Sequence, residues 1–205
     1  MNVVERAKEL LTDPKPTWKK ISTEKAGLPT LTKIYVMPWL LAGAFAAFIG
    51  YGFIGMDTGI LGIRLKGIDW GFYIGLKLLI STMASIILTT YAVDWFSGKF
   101  TGEKNMAASA SLVVYAITPL LLANLLRVFP AFAWSGWILG LYSIYLFYLG
   151  LNELPIIAAG KRIACTAFFS CVMIICLLLT NLIVGKILGA IFGFGTQGEF
   201  GRFGI

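Results

Sequence analysis

A lysine inside an apolar run is the residue here whose chemistry most needs accounting for. Lys77 stands seven positions after Trp70, in a stretch of about residues 70–96 that is apolar enough to cross a bilayer. At 1.5 Å per residue it lies about 10 Å inside the boundary that Trp70 marks. A charge at that depth is costly. It is tolerated when it faces a bundle interior with a partner, or when its stem reaches back to the interface. Both readings stay open on the sequence alone. If it is paired, the partners come from the same half of other apolar segments: Asn124, Thr180 and Asn181, or Asp57 and Asp69 in the preceding loop. Lys77, Asn124 and Asn181 would then form an intramembrane polar site opening on that side.

A second constellation falls in the other half of the apolar segments. Tyr91, Tyr115, Tyr142, Tyr145 and Tyr148 lie there, with Asp94, Asn152, Glu153, Lys161 and Arg162 just beyond. Tyr142, Tyr145 and Tyr148 are spaced by three and share a helix face. Asp94, Tyr115, Tyr145 and Glu153 are the candidate cluster on this side. They read either as an aromatic interfacial belt with loop charges, or as a polar vestibule for an ion, a lipid headgroup or a partner. Between the two constellations Pro119 interrupts an apolar helix, removing a backbone hydrogen bond and crowding the preceding turn.

Other chemistry is thinly represented. There is no histidine, which removes His-based metal sites and Ser-His or Cys-His nucleophile pairs. Cys165, Cys171 and Cys176 share one apolar segment, at spacings that suit neither a metal site nor a disulfide framework. They read as small apolar packing residues. No phosphate loop, nucleotide fingerprint or nucleophile elbow occurs. No cofactor, metal or enzymatic activity is expected.

The elements that would position these residues are membrane spans. The chain is 58% hydrophobic and only 13% charged, with a mean hydropathy of +0.83, far from soluble composition. The expected fold is an all-α integral membrane bundle of five spans, at about 34–55, 70–96, 106–126, 131–149 and 163–192. Residues 193–205 form a glycine-rich tail. Residues 1–33 form a short amphipathic, interfacial segment with no continuous apolar run, so no cleavable signal peptide is expected. Trp18 among Lys15, Lys19 and Lys20 reads as an anchor on an anionic leaflet. The last segment is about thirty residues long and exceeds a hydrocarbon core of about 30 Å, so it must tilt, kink near Gly185 or stop early. The net charge of +7 flanks the spans. It points to orientation and anionic lipid, not nucleic acid. Eleven Lys and Arg fall on the N-terminal side and five on the other, which puts the N-terminus in the cytoplasm and the tail outside. The glycines and alanines of the first span make a homo-oligomer plausible.

Four pieces, in order, resemble the bacterial branch of the YIP (Yip-one-like) family of multi-pass membrane proteins. They are Lys8-Glu-Leu-Leu-Thr-Asp-Pro-Lys-Pro-Thr-Trp-Lys-Lys20, Tyr35-Val-Met-Pro38, Tyr115-Ala-Ile-Thr-Pro119, and Tyr145-Leu-Phe-Tyr-Leu-Gly-Leu-Asn-Glu153 followed by Gly160-Lys161. The resemblance implies a five-helix bundle with a cytoplasmic N-terminus. Eukaryotic members are associated with Rab GTPases and Golgi traffic. Their Asp-Leu-Tyr-Gly-Pro pattern survives here only as Tyr35 and Pro38, and Val114 replaces the glycine usual before the central tyrosine. The resemblance therefore carries the fold, not GTPase binding.

Two functions fit. One is a non-enzymatic membrane-organising or partner-recruiting protein. The other is a small transporter, channel or lipid-moving protein built on Lys77 and the Pro119 break. An odd number of spans makes a direct prediction: in a variant lacking the native cysteines, single cysteines at positions 2 and 205 label from opposite faces of the membrane. Labelling from one face refutes five spans.

Overall fold

The computed structural model describes residues 2–24, 26–57, 64–101, 104–154, 156, 160 and 162–194. Two short helices open the chain. Asn2 caps α1 (Val3–Thr12), its side-chain oxygen accepting from the Val4 and Glu5 amides at 3.1 and 3.4 Å. This satisfies two of the amides that a helix start leaves free. α2 (Pro14–Thr23) begins on a proline, the residue best suited to a first turn. A continuous helical run then extends from Leu28 to Ile54. It comprises α3 (Leu28–Leu31), a π-helical segment (Thr32–Val36), α4 (Met37–Ile49) and a second π-helical segment (Gly50–Ile54). This run starts before the position expected from hydropathy, because Pro29 sits in its first turn and does not interrupt it.

β1 (Met56–Asp57) pairs antiparallel with β2 (Arg64–Leu65) over two residues. α5 (Ile68–Thr101) follows, about 51 Å long at 1.5 Å per residue. The third hydropathic segment, Met106–Val128, is α6 (Met106–Ala116), α7 (Thr118–Ala123) and a 3-10 turn (Asn124–Val128). A short 3-10 turn, Pro130–Phe132, leads to α8 (Ser135–Glu153). α9 (Arg162–Phe192) runs unbroken through Gly185. Of the three outcomes open to that long segment, early termination is thus set aside.

Among the described residues, four helices are long and apolar enough to cross a membrane: Leu28–Ile54, Ile68–Lys99, Met106–Val128 and Arg162–Phe192. α8, the expected fourth span, is not one of them. It has 19 residues, but Trp137, Tyr142, Tyr145, Tyr148 and Ser143 dilute its hydropathy. Apart from the two-residue β1–β2 pair, the elements among the described residues are helical, these four apolar helices included.

Glycine sets how closely the helices approach. A Cβ on Gly71 would lie 2.6 Å from the Phe48 carbonyl oxygen and 2.8 Å from the Gly52 Cα. One on Gly75 would lie 2.8 Å from the Ala44 carbonyl oxygen, and one on Gly50 would collide with the Arg127 carbonyl oxygen. α5 and the turn after α7 therefore touch the Leu28–Ile54 run backbone to backbone, as small residues permit in lipid. The centre of the bundle is the third segment, whose best apolar window is 78% buried; that of α9 is 22% buried.

The glycine contacts yield a test. Gly50→Ala and Gly71→Ala should each lower stability by about 1–3 kcal/mol, the cost of overpacking, because the obstructing atoms are backbone. Gly136→Ala, where nothing lies within 4 Å, should leave thermal unfolding in detergent unchanged or slightly raised. Equal behaviour of the three variants would contradict the close packing.

Candidate functional site

The break in the third segment is where the candidate site forms. Ile117 has ψ −2° and ends α6, and Pro119 occupies the first turn of α7. The break falls just ahead of the proline, because its ring and missing N–H disrupt the turn that precedes it. The ladder resumes quickly, with the Leu121 amide donating to the Ile117 carbonyl at 3.1 Å. Thr118, fully buried, shares a 2.9 Å hydrogen bond with the Tyr35 hydroxyl. The first helical run is thereby tied to the break.

Around that bond lies an aromatic joint. The Tyr35 and Tyr115 rings meet edge-on with centroids 5.0 Å apart, and Trp18 meets Tyr115 edge-on at 6.4 Å. Such edge contacts contribute about 0.5–1.5 kcal/mol each beyond the area buried. Trp18 is completely buried. A Cβ on Gly150 of α8 would stand 2.8 Å from its ring and 2.5 Å from Leu112, so the indole occupies the space that glycine leaves. The expected leaflet anchor is thus a core residue. α2 uses Thr17, Trp18 and Ile21 to pack, leaving Lys15, Lys19 and Lys20 exposed. Trp at an interface and Trp filling a glycine notch share one sequence pattern, which misled the expectation.

The joint is closed by charge. Arg6 donates to the Glu24 carboxylate at 2.5 Å, and its guanidinium carbon lies 5.9 Å from the Tyr115 ring centre. α1 is held to α2 by this pair and by Lys20 to Glu9 at 3.1 Å. It is held to α8 by the Tyr142 hydroxyl, which donates to the Leu11 carbonyl at 3.1 Å. Arg6, Trp18, Glu24 and Tyr35 were not among the candidate residues. Their one sequence signal is position: Arg6 borders the Ala7 and Leu10 face, and Tyr35 lies in the Tyr-Val-Met-Pro stretch.

The remaining candidates are distributed differently from the sequence reading. Lys77 is half-buried on α5, against α9. A Cβ on Gly185 would lie 3.1 Å from its ammonium nitrogen, which also sits 5.8 Å from the Tyr73 ring centre. Tyr73 donates to the Gly185 carbonyl at 3.3 Å, beside Trp70, Phe192 and Phe194. Asn124 is half-buried elsewhere, against Gly43 of α4. Asn181 is exposed on α9. Thr180 donates to the Cys176 carbonyl of its own helix at 2.7 Å. Each of the three residues proposed for the intramembrane site therefore has its own surroundings.

On the other side, Tyr115 is buried in the joint while Tyr145 is exposed, 5.7 Å ring to ring from Tyr142. Asp94 is half-buried with one carboxylate oxygen buried and without a hydrogen bond. Glu153 is half-buried at the end of α8, next to Asn152, which accepts from Arg162 at 3.4 Å. Of this cluster, only Tyr115 belongs to the joint. Among the described residues, no group of three or more Cys, Asp or Glu could hold a metal ion.

Apolar helices joined by glycine contacts and tied at a proline break define a multi-pass membrane protein. The Yip1 domain family matches residues 8–194, and the chain belongs to that family. No curated protein and no solved structure matches it significantly.

The joint predicts a local effect of Glu24→Gln. With side chains 12% and 35% exposed, the pair lies between a surface bridge and a buried one. Its loss should cost about 1–3 kcal/mol. Trypsin should cut faster after Lys8, Lys19 or Lys20, with the bundle's unfolding midpoint little changed. Trp18→Ala should accelerate cleavage further and also destabilise the bundle, by about 3–5 kcal/mol. Cleavage at the wild-type rate in both variants would show that the joint does not hold the N-terminal helices.

Proposed function

We propose that this protein is a non-enzymatic membrane organiser or recruiter of partners, acting through its N-terminal helices. One observation carries this reading. α1 and α2 are clamped to the bundle by Trp18, Tyr35, Tyr115 and the Arg6–Glu24 pair, while Lys8, Lys15, Lys19 and Lys20 face outward. A fixed basic surface beside a membrane attracts anionic lipid or an acidic partner, at about 1 kcal/mol per lysine near the headgroups.

In this reading α8 is the fourth of five crossings. Its exposed stripe of Trp137, Ile138, Leu141, Tyr145 and Tyr148 suits a lipid-facing side with aromatic ends. The N-terminus is cytoplasmic, the C-terminus lies outside, and the membrane is a bacterial inner membrane. Residues 1–33 are then the cytoplasmic unit and the helices beyond them the transmembrane domain, with homo-oligomers accessible through lipid-facing helices.

A transporter or lipid-moving role is favoured by a different observation. The buried hydroxyls of Ser85, Thr89, Ser109 and Ser170 make no hydrogen bond, nor does the buried carboxylate oxygen of Asp94. Unsatisfied hydroxyls inside a membrane bundle are costly, and a passing ion or water would satisfy them.

Reconstitution separates the two. The organising role expects no ion or lipid flux from wild type or Lys77→Met, and a changed size distribution of anionic vesicles on reconstitution. Charge reversal at Lys8, Lys15, Lys19 and Lys20 should abolish that change. Flux that Lys77→Met removes, with vesicle size unaffected, would replace this reading with transport.

A further inference from the structure

A groove of about 350 Å³ opens on the side of the bundle, between the start of the Leu28–Ile54 run and α5. The lining is almost wholly apolar, built by Leu28, Pro29, Met37 and Ile87, with Thr32, Lys33 and Tyr91 contributing mainly carbon. The glycine contacts at Gly71 and Gly75 fix the antiparallel register of α4 on α5. That register sets Tyr91 opposite Thr32 at the loop-side end, and Ile87 opposite Met37 about one turn deeper.

The depth of the groove can be read from its neighbours. Trp95, one turn beyond Tyr91, is exposed, with the Lys99 ammonium 3.7 Å from its ring centre. Exposed Trp and Tyr with lysine mark the headgroup level of a membrane helix. The slot therefore starts among headgroups and descends into hydrocarbon, where exposed Met37, Leu41 and Phe45 continue the surface.

One of the two π-helical segments of the run, Thr32–Val36, lies along this groove, a geometry that widens a turn and gathers at functional sites. Lys33 is exposed, and both ion pairs found among the described residues lie elsewhere, on α1 and α2. Among the described residues, no acidic side chain lines the groove. A cation above an apolar slot, with no acid beside it and in the face of a membrane-embedded helix pair, complements a lipid with net negative charge.

We infer that the groove holds one anionic phospholipid, its phosphate at Lys33 and the Tyr91 hydroxyl and an acyl chain along Leu28, Met37 and Ile87. Lys33 provides the selectivity, because the apolar lining and the tyrosine accept zwitterionic lipids equally well. The inference requires only that the chain be embedded in a bilayer. It stands whether or not the N-terminal lysines organise membrane.

The test is native mass spectrometry of the full chain released from nanodiscs of equal phosphatidylglycerol and phosphatidylcholine. Wild type should retain one phosphatidylglycerol. Lys33→Gln should lower its retention by about fivefold, the effect of one lysine at a lipid surface, and Lys33→Arg should preserve it. Ile87→Trp, which fills the slot, should release both lipids. Lys66→Gln, at an exposed lysine ahead of α5 and outside the groove, should leave retention unchanged. The proposal is overturned if wild type shows no phosphatidylglycerol preference, if Lys33→Gln retains it fully, or if Lys66→Gln loses it equally. Should Ile87→Trp fail to fold, the Gln and Arg variants of Lys33 decide alone.

Discussion

A helix broken inside a membrane leaves backbone groups that no water can reach, and something else must hold the two halves in line. Here that task falls on the bond between Thr118 and Tyr35 and on the rings packed edge-on around it. The rest of the architecture follows from where this joint lies. The third segment must be central, because only a surrounded helix can be braced from several sides. The first run must approach it closely, which Gly43 and Gly50 allow by meeting Asn124 and the Arg127–Val128 backbone without side chains between. The N-terminal helices complete the brace by delivering Trp18 to Tyr115 from the remaining side.

The bundle divides into residues that serve this centre and residues that serve lipid. Tyr115, Phe147 and Phe169 are fully buried around the third segment, whereas α9 exposes Ile175, Leu178, Leu179, Leu182 and Ile183 in succession. Both groups are apolar, so no hydropathy scale separates them. Burial of an apolar side chain against lipid gains little over burial against protein, and shape decides instead. The glycines at 71 and 75 therefore set how closely backbones approach, and the notch at Gly150 determines where the Trp18 ring packs.

Legibility in the sequence follows the same division. Four apolar helices were readable because a continuous apolar run of spanning length belongs in a bilayer, and the Pro119 break because the ring and missing N–H act locally. Trp18 was misread because lysines surround it in sequence but not in space: on a helix, Lys15, Lys19 and Lys20 turn outward as Trp18 turns in. Arg6 and Glu24 lie eighteen positions apart, beyond the reach of any helical periodicity. Lys77 was recognisable as a costly charge within an apolar run. The Tyr73 ring, four positions earlier on the same helix, follows from helical spacing, whereas Gly185 on a distant helix leaves no local mark. α8 shows the reverse: its tyrosines lower its hydropathy although its exposed stripe is largely aromatic and aliphatic.

The hydrogen bond from Tyr142 to Leu11 joins residues 131 positions apart, and that separation has a consequence in time. At ribosomal rates of roughly 5–20 residues per second, the partner of α1 emerges roughly 7–26 s after α1 itself. Trp18 likewise waits for Gly150. Throughout that interval the first two helices exist as an amphipathic pair with an uncovered apolar face and a ring of lysines. The nascent chain thus passes through a stage in which its opening residues are soluble-facing or lipid-bound, and only the arrival of α8 converts them into part of the fold.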